Sequence, residues 1–200
     1  MKDNKLAQII QFVVEIDKLK RIYRQSFLMD GSRNENTAEH SWHLAMMGAV
    51  LSEYANTKVD VCRVVKMLLI HDIVEIDAGD TYIYDLNRNG KIKRDKERNA
   101  AQRIFGILPK KQSREFQKLF YEFDSRKTND AKFAAAIDRL QPMIHNYMTK
   151  GKSWKKHKVS SAEVIERNKH MGEGSKKLWQ YAQTLISDSI RQGILAESPK

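Results

Sequence analysis

The stretch from Leu68 to Asp80 constrains the fold most, because an apolar run ends there in adjacent His71 and Asp72. A chain that buries residues 68–70 also buries or half-buries their neighbours, and a histidine beside a carboxylate is costly there unless something pairs it. A divalent metal ion is the simplest partner, since neutral imidazole and carboxylate both ligate such cations. Glu75 follows His71 by four residues, so the two share a face on a helix. The stretch could therefore supply two ligands and a nearby acid, as hydrolysis by a metal-bound water requires.

Apolar residues recur at helical spacing over most of the 200-residue chain, and no stretch indicates a strand, an internal repeat or a domain linker. The sequence predicts an all-α fold in a single domain covering residues 1–200, with a flexible tail after Leu195. The first helix is predicted to reach Tyr23, with Arg24 near its end, and residues 29–35 are predicted to form a loop. The other predicted helices cover residues 36–54, 59–79, 91–105, 116–123, 128–148, a segment that starts at 160, and 178–193.

His40 and His43 lie in the first turn of the predicted second helix, on or beside its apolar face. Asn36 and Glu39 form a capping box that fixes where this helix starts. A lone histidine in such a place is more often a hydrogen-bonded core residue than a ligand. Because the chain also carries the His71-Asp72 pair, we interpret His40 as a ligand and leave His43 as a residue that could hold a ligand in position.

Asp138 lies inside the most apolar helix of the chain, predicted from Thr128 to Met148. An aspartate buried there needs a partner. The adjacent Arg139 is one candidate, although neighbouring residues point in different directions around a helix. Metal ligation is the other candidate, and it would bring a third helix to the same site as His40 and His71.

Two histidines and two aspartates, His40, His71, Asp72 and Asp138, therefore form the predicted ligand set. Two imidazoles and two carboxylates suit a divalent transition metal such as Mn, Co, Fe, Ni or Zn. The chain has no Gly-rich phosphate loop, no Gly-x-Ser-x-Gly elbow and no His-Glu-x-x-His pattern. The sequence thus indicates metal-dependent chemistry rather than a nucleophilic serine or a P-loop.

The same residues resemble the His…His-Asp…Asp signature of the HD-domain metal-dependent phosphohydrolases. The surrounding residues are similar to those of the 5′-deoxynucleotidase branch, the YfbR-like proteins, and the resemblance covers nearly the whole chain. The segments that carry it are Glu39-His40-Ser41, His71-Asp72-Ile73-Val74-Glu75, Gly79-Asp80 and Ile137-Asp138-Arg139-Leu140.

The resemblance implies a helical bundle of the HD-domain type and hydrolysis of (deoxy)nucleoside 5′-monophosphates to nucleoside and phosphate. It implies that His40, His71, Asp72 and Asp138 are the metal ligands. It also implies a catalytic acid at Glu75, a second acidic residue of the site at Asp80, and a substrate-phosphate contact at Arg24. Together with the apolar helices, it further predicts a homodimer.

Two departures from the family bear on the sugar and the base rather than on the metal chemistry. Gln25 stands where the characterised enzymes carry an aromatic residue against the sugar, so Gln25 is a predicted substrate-binding residue. Asp80, also predicted to bind substrate, could orient the attacking water or hydrogen-bond the sugar. Residues 81–84 lack the proline-containing turn expected after Gly79-Asp80. Glu75 is followed by isoleucine, which argues against the guanosine tetraphosphate hydrolases, and a Gly-Tyr-Pro motif of cyclic dinucleotide phosphodiesterases is missing.

The chain carries 36 basic and 25 acidic side chains, a formal net charge of +11. This excess suits an anionic small molecule such as a phosphate ester, and it also permits nucleic-acid binding. Much of it lies in the segment 150–158, predicted to be a solvated loop. A nucleic-acid-binding protein that uses this segment with Trp154 remains an alternative, which we regard as less favoured.

Cys62 is the only cysteine, which excludes an intramolecular disulfide and favours a cytoplasmic location. The longest apolar runs are too short to cross a bilayer, so no membrane association is predicted. Within the enzyme interpretation, another phosphomonoester or nucleotide is the main alternative substrate. A non-catalytic regulatory HD protein is a further alternative, against which the retained Glu75 argues.

Overall fold

The computed structural model describes residues 3–85 and 90–197, and most of these residues are helical. The helices are α1 (Asp3–Ile16), α2 (Thr37–Val50), α3 (Val61–Ile70), α4 (Glu75–Ala78), α5 (Gly90–Phe105), α6 (Lys110–Ser125), α7 (Asn129–Met148), α8 (Lys152–Lys156), α9 (Ser161–Asn168), α10 (Met171–Gly174) and α11 (Lys176–Arg191). Two short strands, β1 (Tyr23–Phe27) and β2 (Asn34–Asn36), form an antiparallel hairpin. The predicted all-α, single-domain fold is confirmed, and this hairpin is the one small sheet among the described residues.

The centre of the core is α7, because apolar and small residues cover most of its circumference. Phe133, Ala134, Ile137 and Leu140 are each at most 2% exposed. The side chain of Thr128 caps its first turn. This helix packs against α2, α3, α6, α10 and α11, so a polar residue in its middle faces the protein interior.

The predicted capping box at the start of α2 is confirmed. The Glu39 backbone N–H donates to the Asn36 side chain at 2.9 Å, and the Asn36 N–H donates to the Glu39 carboxylate at 3.1 Å. Ser160 and Glu163 make the equivalent pair at the start of α9. The first box fixes the start of α2 and thereby holds His40 in its first turn.

The prediction that the first helix reaches Tyr23 was wrong. In the structure α1 ends at Ile16, residues 17–21 form a 3-10 turn, and the chain is extended from Tyr23 onward. Tyr23 pairs with Asn36, so a segment further along the chain satisfies the backbone groups that a helix would have satisfied internally. Arg24 consequently lies on β1 and not at the end of a helix.

The helix predicted over residues 59–79 is divided in two. Its first part, α3, ends at Ile70, and Ile73 N–H then donates to Ile70 O at 3.1 Å in a tighter turn. The second part, α4, is a single turn that starts at Glu75 and ends before Gly79, which has φ +76°. The predicted common face of His71 and Glu75 therefore rests on a turn rather than on one continuous helix.

The segment predicted as a solvated basic loop, residues 150–158, is largely a helix. Its lysines are exposed, but Trp154 in α8 is only 2% exposed and belongs to the core. Two other predicted bounds also differ, because β2 begins inside the predicted loop 29–35 and α6 begins at Lys110 rather than near Phe116. The run of lysines in the sequence therefore gave no indication that Trp154 packs into the core.

The end of the chain is tied to the start of α9. Ser161 N–H donates to the Ala196 carbonyl at 2.9 Å, and Leu195 is buried. The last part of the tail that we predicted to be flexible, residues 198–200, lies outside the described residues. In the described ranges, no helix combines the length and the apolar character that crossing a membrane needs.

Candidate metal centre and active-site cleft

Four side chains from α2, the turn after α3, and α7 converge in the interior. His40 Nε2 lies 3.2 Å from Asp138 Oδ1 and 3.6 Å from Asp72 Oδ2. His71 Nε2 lies 3.1 Å from Asp72 Oδ2 and 3.6 Å from Asp138 Oδ1. A metal with nitrogen and oxygen ligands at about 2.0–2.2 Å holds neighbouring donors roughly 3.0–3.5 Å apart. His40, His71 and Asp72 each offer a ligand atom within 4.8 Å of the other two, close enough for a divalent ion, and Asp138 borders this group.

Each imidazole is held so that its Nε2 points into the cluster. His71 Nδ1 donates to the Leu68 carbonyl at 3.0 Å, and His40 Nδ1 lies 3.1 Å from Gln141 Oε1. Such outer partners fix the tautomer and the ring orientation of metal-binding histidines. His71 Nε2 is buried and makes no hydrogen bond within the described residues, as expected for a nitrogen whose partner is an ion.

The charges of the cluster favour a cation. Burial alone would lower the pKa of His71, but Asp72 and Asp138 raise it to about 10. Burial would raise the pKa of both carboxyl groups, yet His71 and Arg24 lower it for Asp72, and Arg139, His40 and His71 lower it for Asp138. The two aspartates are thus ionised and demand positive charge between them, which suits the donor set to a metal.

Arg24 reaches over this cluster from β1. Its Nη1 lies 2.8 Å from Asp72 Oδ2 and 3.7 Å from one oxygen each of Glu75 and Asp80. Burial would lower the pKa of the guanidinium, but these carboxylates raise it above its ordinary value. Arg24 is therefore a fixed, buried positive charge, and its Nε has no hydrogen-bond partner within the described ranges.

Glu75 and Asp80 form the acidic wall of the site. Glu75 is 6% exposed and accepts a hydrogen bond from Thr37 Oγ1 at 2.9 Å. Burial, and then the nearby charge of Asp72, raises the pKa of Glu75 well above its usual range. Burial also raises the pKa of Asp80, although Arg24 acts in the opposite direction. Burial therefore favours the protonated form of Glu75, the form in which a carboxyl group acts as a general acid.

A cleft joins these groups to the surface. Of the residues that sequence analysis selected, Arg24, Gln25, Asp72, Glu75, Asp80 and Asp138 line it. Gln25 lies beside α8, where its Oε1 accepts from His157 Nε2 at 3.1 Å and from Lys156 Nζ at 3.3 Å. The basic segment therefore contributes to the cleft wall, which its sequence alone did not indicate.

The residues that support the cluster carry little signal in the sequence. Gln141 is fully buried in α7, three residues after Asp138, and bridges His40 to Glu35 through its amide. Thr37 holds Glu75 from the first turn of α2. An amide side chain within the most apolar helix was the one sequence feature that could have indicated a supporting role for Gln141. Thr37 has no such feature beyond its position next to the capping box.

Comparison with known proteins agrees with this chemistry. A sequence model described as HD domain matches residues 16–179. Human 5′-deoxynucleotidase HDDC2 is 26% identical over 137 residues, covering 68% of this chain and 65% of the human protein. The 5′-deoxynucleotidase hdd1 of Schizosaccharomyces pombe is 24% identical over 145 residues, covering 70% of this chain and 72% of that protein. The chain thus spans about two thirds of the length of these curated relatives.

Solved structures give a closer match. A crystal structure from Magnetospirillum magnetotacticum MS-1, described as a predicted metal-dependent phosphohydrolase, is 51% identical with a TM-score of 0.91. The match covers 96% of this chain and 99% of that one. The PH0347 protein of Pyrococcus horikoshii OT3 is 22% identical with a TM-score of 0.65, covering 91% and 98%, and supports the fold alone.

Proposed function

Because the chain belongs to the HD domain family, we propose that it is a metal-dependent phosphohydrolase that converts nucleoside 5′-monophosphates to nucleoside and phosphate. One observation carries this proposal. A two-histidine, two-aspartate cluster lies directly under a buried arginine and a carboxyl group with a raised pKa, Glu75, in one cleft. Phosphomonoester hydrolysis needs these three parts: a cation site, an anion contact and a proton donor.

In this proposal His40, His71, Asp72 and Asp138 hold the ion, a divalent transition metal among Mn, Co, Fe, Ni and Zn. The proposal is supported by the orphaned His71 Nε2 and by the ionised aspartates that face it. When bound, such an ion supplies Lewis acidity that makes a water molecule nucleophilic near neutral pH.

Arg24 would bind the substrate phosphate. Its guanidinium is the cation of the cleft, and while Nη1 stays on Asp72, the unpaired Nε and the adjacent Nη2 share one edge that can contact two phosphate oxygens in a fork. Asp72, Glu75 and Asp80 fix the direction of that fork before substrate arrives. Arg24 would thereby offset the charge that develops on the phosphoryl oxygens as the bond to the 5′-oxygen breaks.

Glu75 would supply the proton. The bond from phosphorus to the leaving 5′-oxygen would break as the water oxygen bonds to phosphorus. The leaving oxygen would take the proton of Glu75, and the proton that the water loses would return to Glu75. Burial and the charge of Asp72 favour the protonated form of Glu75. Thr37 fixes one carboxyl oxygen, so the other is directed toward Arg24 and the site of the phosphate.

Asp80 and Gln25 would contact the sugar. Both line the cleft beyond Arg24, and the Gln25 amide oxygen already accepts two hydrogen bonds from α8. The curated relatives with the name 5′-deoxynucleotidase support a preference for deoxynucleotides. Because Gln25 offers a polar contact in place of an aromatic ring, we expect this preference to be smaller than the preference for a 5′-phosphate.

A substrate panel tests the proposal. Purified protein is stripped of metal, reloaded with each of Mn, Co, Ni and Zn, and assayed for phosphate release from 2′-deoxyribonucleoside and ribonucleoside 5′-monophosphates, 3′-monophosphates and nucleoside diphosphates. Release from 5′-monophosphates, faster for the deoxy series and nearly absent for 3′-monophosphates, is the expected result. Equal rates on 5′- and 3′-monophosphates, or activity on diphosphates alone, would remove the nucleotidase proposal.

The nucleic-acid alternative loses its aromatic contact, since Trp154 is buried and unavailable for stacking on a base. If the protein slows the migration of single-stranded RNA or DNA in a gel-shift assay at 150 mM salt, the nucleic-acid-binding alternative would be favoured again. The regulatory alternative predicts no turnover with any metal, so the same substrate panel tests it.

A homodimer belongs to the proposal as well. Trp42, Met46 and Val50 follow one another at four-residue spacing on α2 and are 64%, 49% and 63% exposed, an apolar stripe that suits a second copy. Light scattering should return twice the 23.3 kDa chain mass. Trp42→Glu should shift that mass to the monomer, whereas Tyr181→Glu on α11 should not. A monomeric wild-type protein at micromolar concentration would contradict the proposal.

We also propose that the protein is located in the cytoplasm. The single Cys62 is exposed and cannot form an intramolecular disulfide, which suits a reducing compartment. Fractionation of cells that express the tagged protein would place it; recovery in a secreted or membrane fraction would overturn this part.

A further inference from the structure

A second group of histidine and carboxylate side chains lies on the opposite side of His40 from the candidate metal centre. It consists of Glu35 on β2, His43 on α2 and His145 on α7, and donor atoms of the three lie within 4.8 Å of one another. Glu35 and His145 are 2% and 3% exposed, and His43 is half-buried. Three separate elements thus direct potential ligands to one point that the proposed hydrolysis does not use.

Two atoms of this group are buried without a hydrogen-bond partner, although Glu35 Oε2 lies 3.5 Å from His40 Nδ1. Within the described residues, neither Glu35 Oε2 nor His145 Nε2 makes a hydrogen bond, although buried polar atoms are nearly always paired. His145 Nδ1 donates to the Phe27 carbonyl at 2.8 Å, which leaves Nε2 as the free lone pair of a neutral ring. That Nε2 lies 4.0 Å from Glu35 Oε1, too far for a hydrogen bond.

The protonation states suit a cation. Burial lowers the pKa of both His43 and His145, so both rings are neutral near pH 7 and present lone pairs. Their ring centres lie 5.7 Å apart, which allows one nitrogen of each to turn toward the same point. Two neutral imidazoles and one carboxylate form a ligand set that zinc prefers, as in sites that keep a fourth position open.

We propose that Glu35, His43 and His145 form a second divalent-metal site, of zinc type, with its open position on the half-exposed side of His43. Donors around tetrahedral zinc lie about 3.3 Å apart, so the three side chains close inward by roughly 1 Å when the ion binds. The site shares no protein ligand with the cluster around Asp138. Its existence therefore does not depend on the substrate or on the hydrolytic activity.

The second site would stabilise the hairpin and position His40. It ties β2, which pairs with the strand that carries Arg24, to two helices. These are α2, which carries His40, and α7, which carries Asp138. Gln141 connects the two sites, because its Nε2 donates to Glu35 Oε1 at 2.6 Å while its Oε1 lies 3.1 Å from His40 Nδ1. A zinc ion on Glu35 thus fixes the amide that orients the His40 ring.

Metal stoichiometry tests the proposal without any substrate. Chelator-treated wild-type protein is titrated with ZnCl2 and with CoCl2, followed by calorimetry, elemental analysis and visible absorption of cobalt. The expected wild-type result is two ions per chain. Asp138→Asn, which disables the first cluster, should retain one ion, and that ion should give the strong visible absorption of four-coordinate cobalt.

Variants of the second site separate it from the first. His145→Gln should bind one ion in the wild-type background and none when combined with Asp138→Asn. The affinity of the lost site should fall by more than the 10- to 100-fold that removal of an outer partner typically costs. The matched control is His170→Gln, a half-buried histidine outside both clusters, which should still bind two ions.

Anomalous diffraction at the zinc edge keeps the proposal testable if a variant fails to fold. Wild-type crystals soaked in zinc should give a peak between Glu35, His43 and His145. No peak at this point, no ion retained by folded Asp138→Asn, or unchanged stoichiometry in folded His145→Gln would overturn the proposal, whereas a single wild-type ion located at this point would count against the first cluster instead. The group would then be a hydrogen-bonded support for His40, with water molecules on the two unpaired atoms.

Discussion

Asp138 lies between two cavities that differ in how they hold charge. On one side is the cleft, where Arg24 is 14% exposed and faces three carboxylates within 3.7 Å. On the other side is a cavity lined by Arg94, Glu97, Asp124, Arg126, Glu166, Arg167 and His170, all of them half-buried or exposed, while Lys93 and Arg139 line both cavities. Charges in the first are buried and fixed, while those in the second are screened by water and salt. We therefore expect the reaction to take place in the cleft. The exposed cavity can contribute electrostatic attraction for an anionic substrate and little more.

The largest expected effect comes from Asp138, which lines both cavities and belongs to the candidate metal centre. Asp138→Ala should lower metal content at the first cluster to background and turnover below detection, because it removes one of two carboxylates that face the histidine nitrogens at 3.2–3.6 Å. Elemental analysis and phosphate release measure both. Asp124→Ala, a carboxylate of the exposed cavity, is the matched control and should keep both values. Retention of metal and turnover in Asp138→Ala would exclude Asp138 as a ligand.

Substitution of Glu75 should separate catalysis from metal binding within the cleft. Glu75→Ala should keep the metal and the fold but lose about 10²- to 10⁴-fold in kcat, the usual contribution of a positioned general acid or base. Glu166→Ala, an exposed carboxylate on the other side, should change kcat less than about twofold. Near-normal turnover in Glu75→Ala would reduce its role to a partner of Arg24. Because substrate should still bind, this variant suits crystallisation with a nucleotide.

Substitutions of an arginine in the cleft and of one in the exposed cavity should differ in the size of their effect on catalysis and in the salt dependence of that effect. Arg24→Ala should lower kcat/KM by about 10²- to 10³-fold, comparable with the loss of one buried donor to a developing anion, and should do so at any salt concentration. Arg126→Ala should raise KM less than about fivefold at low salt, with the effect vanishing near 0.5 M NaCl because the Debye length shortens. Equal effects from both variants would contradict the distinction between buried and screened charge.

Sequence patterns predicted most of the fold and the convergence of four side chains in the cluster, for a physical reason. Helix periodicity and capping boxes are local, and residues such as His40 and Asp138 stood out because they interrupt apolar faces. Nothing local indicated that Arg24 lies on a strand, because its hairpin depends on pairing with β2. Trp154 was hidden by the lysines around it, since a charge run indicates solvation and not the one side chain that packs inward.

The second histidine group had even less sequence signal. Glu35, His43 and His145 lie on three elements, and none of them forms a motif with a neighbour. Only the approach of β2 to α2 and α7 brings them together. Constellations of this kind depend on tertiary geometry, so they are found from coordinates and not from spacing.

The smallest expected effect concerns stability in acid and tests whether the exposed cavity carries net positive potential. Burial, and then Arg139 and Arg126, lowers the pKa of His170 to about 4, while Asp138 acts weakly in the opposite direction. Between that value and the ordinary histidine pKa near 6.5 the unfolded chain binds a proton that the folded chain does not. This part of the stability is complete above pH 6.5 and is lost as pH falls toward 4.

Urea unfolding at pH 7.5 and pH 5.0 should therefore give a smaller loss of unfolding free energy in His170→Gln than in the wild type. The difference should be about 1 kcal/mol after allowance for the solvent exposure of the ring, or about 2–4 °C in Tm. Arg126→Gln should also reduce the loss and end it at a higher pH, because removal of one nearby cation raises the folded-state pKa of His170 toward its unfolded value. If His170→Gln and the wild type lose stability in parallel, the arginines do not act on His170, and the cavity is too well screened to attract an anion. A reduced loss in both variants would instead mean that the field of these arginines reaches the half-buried ring next to Asp138, where an approaching phosphate would experience it.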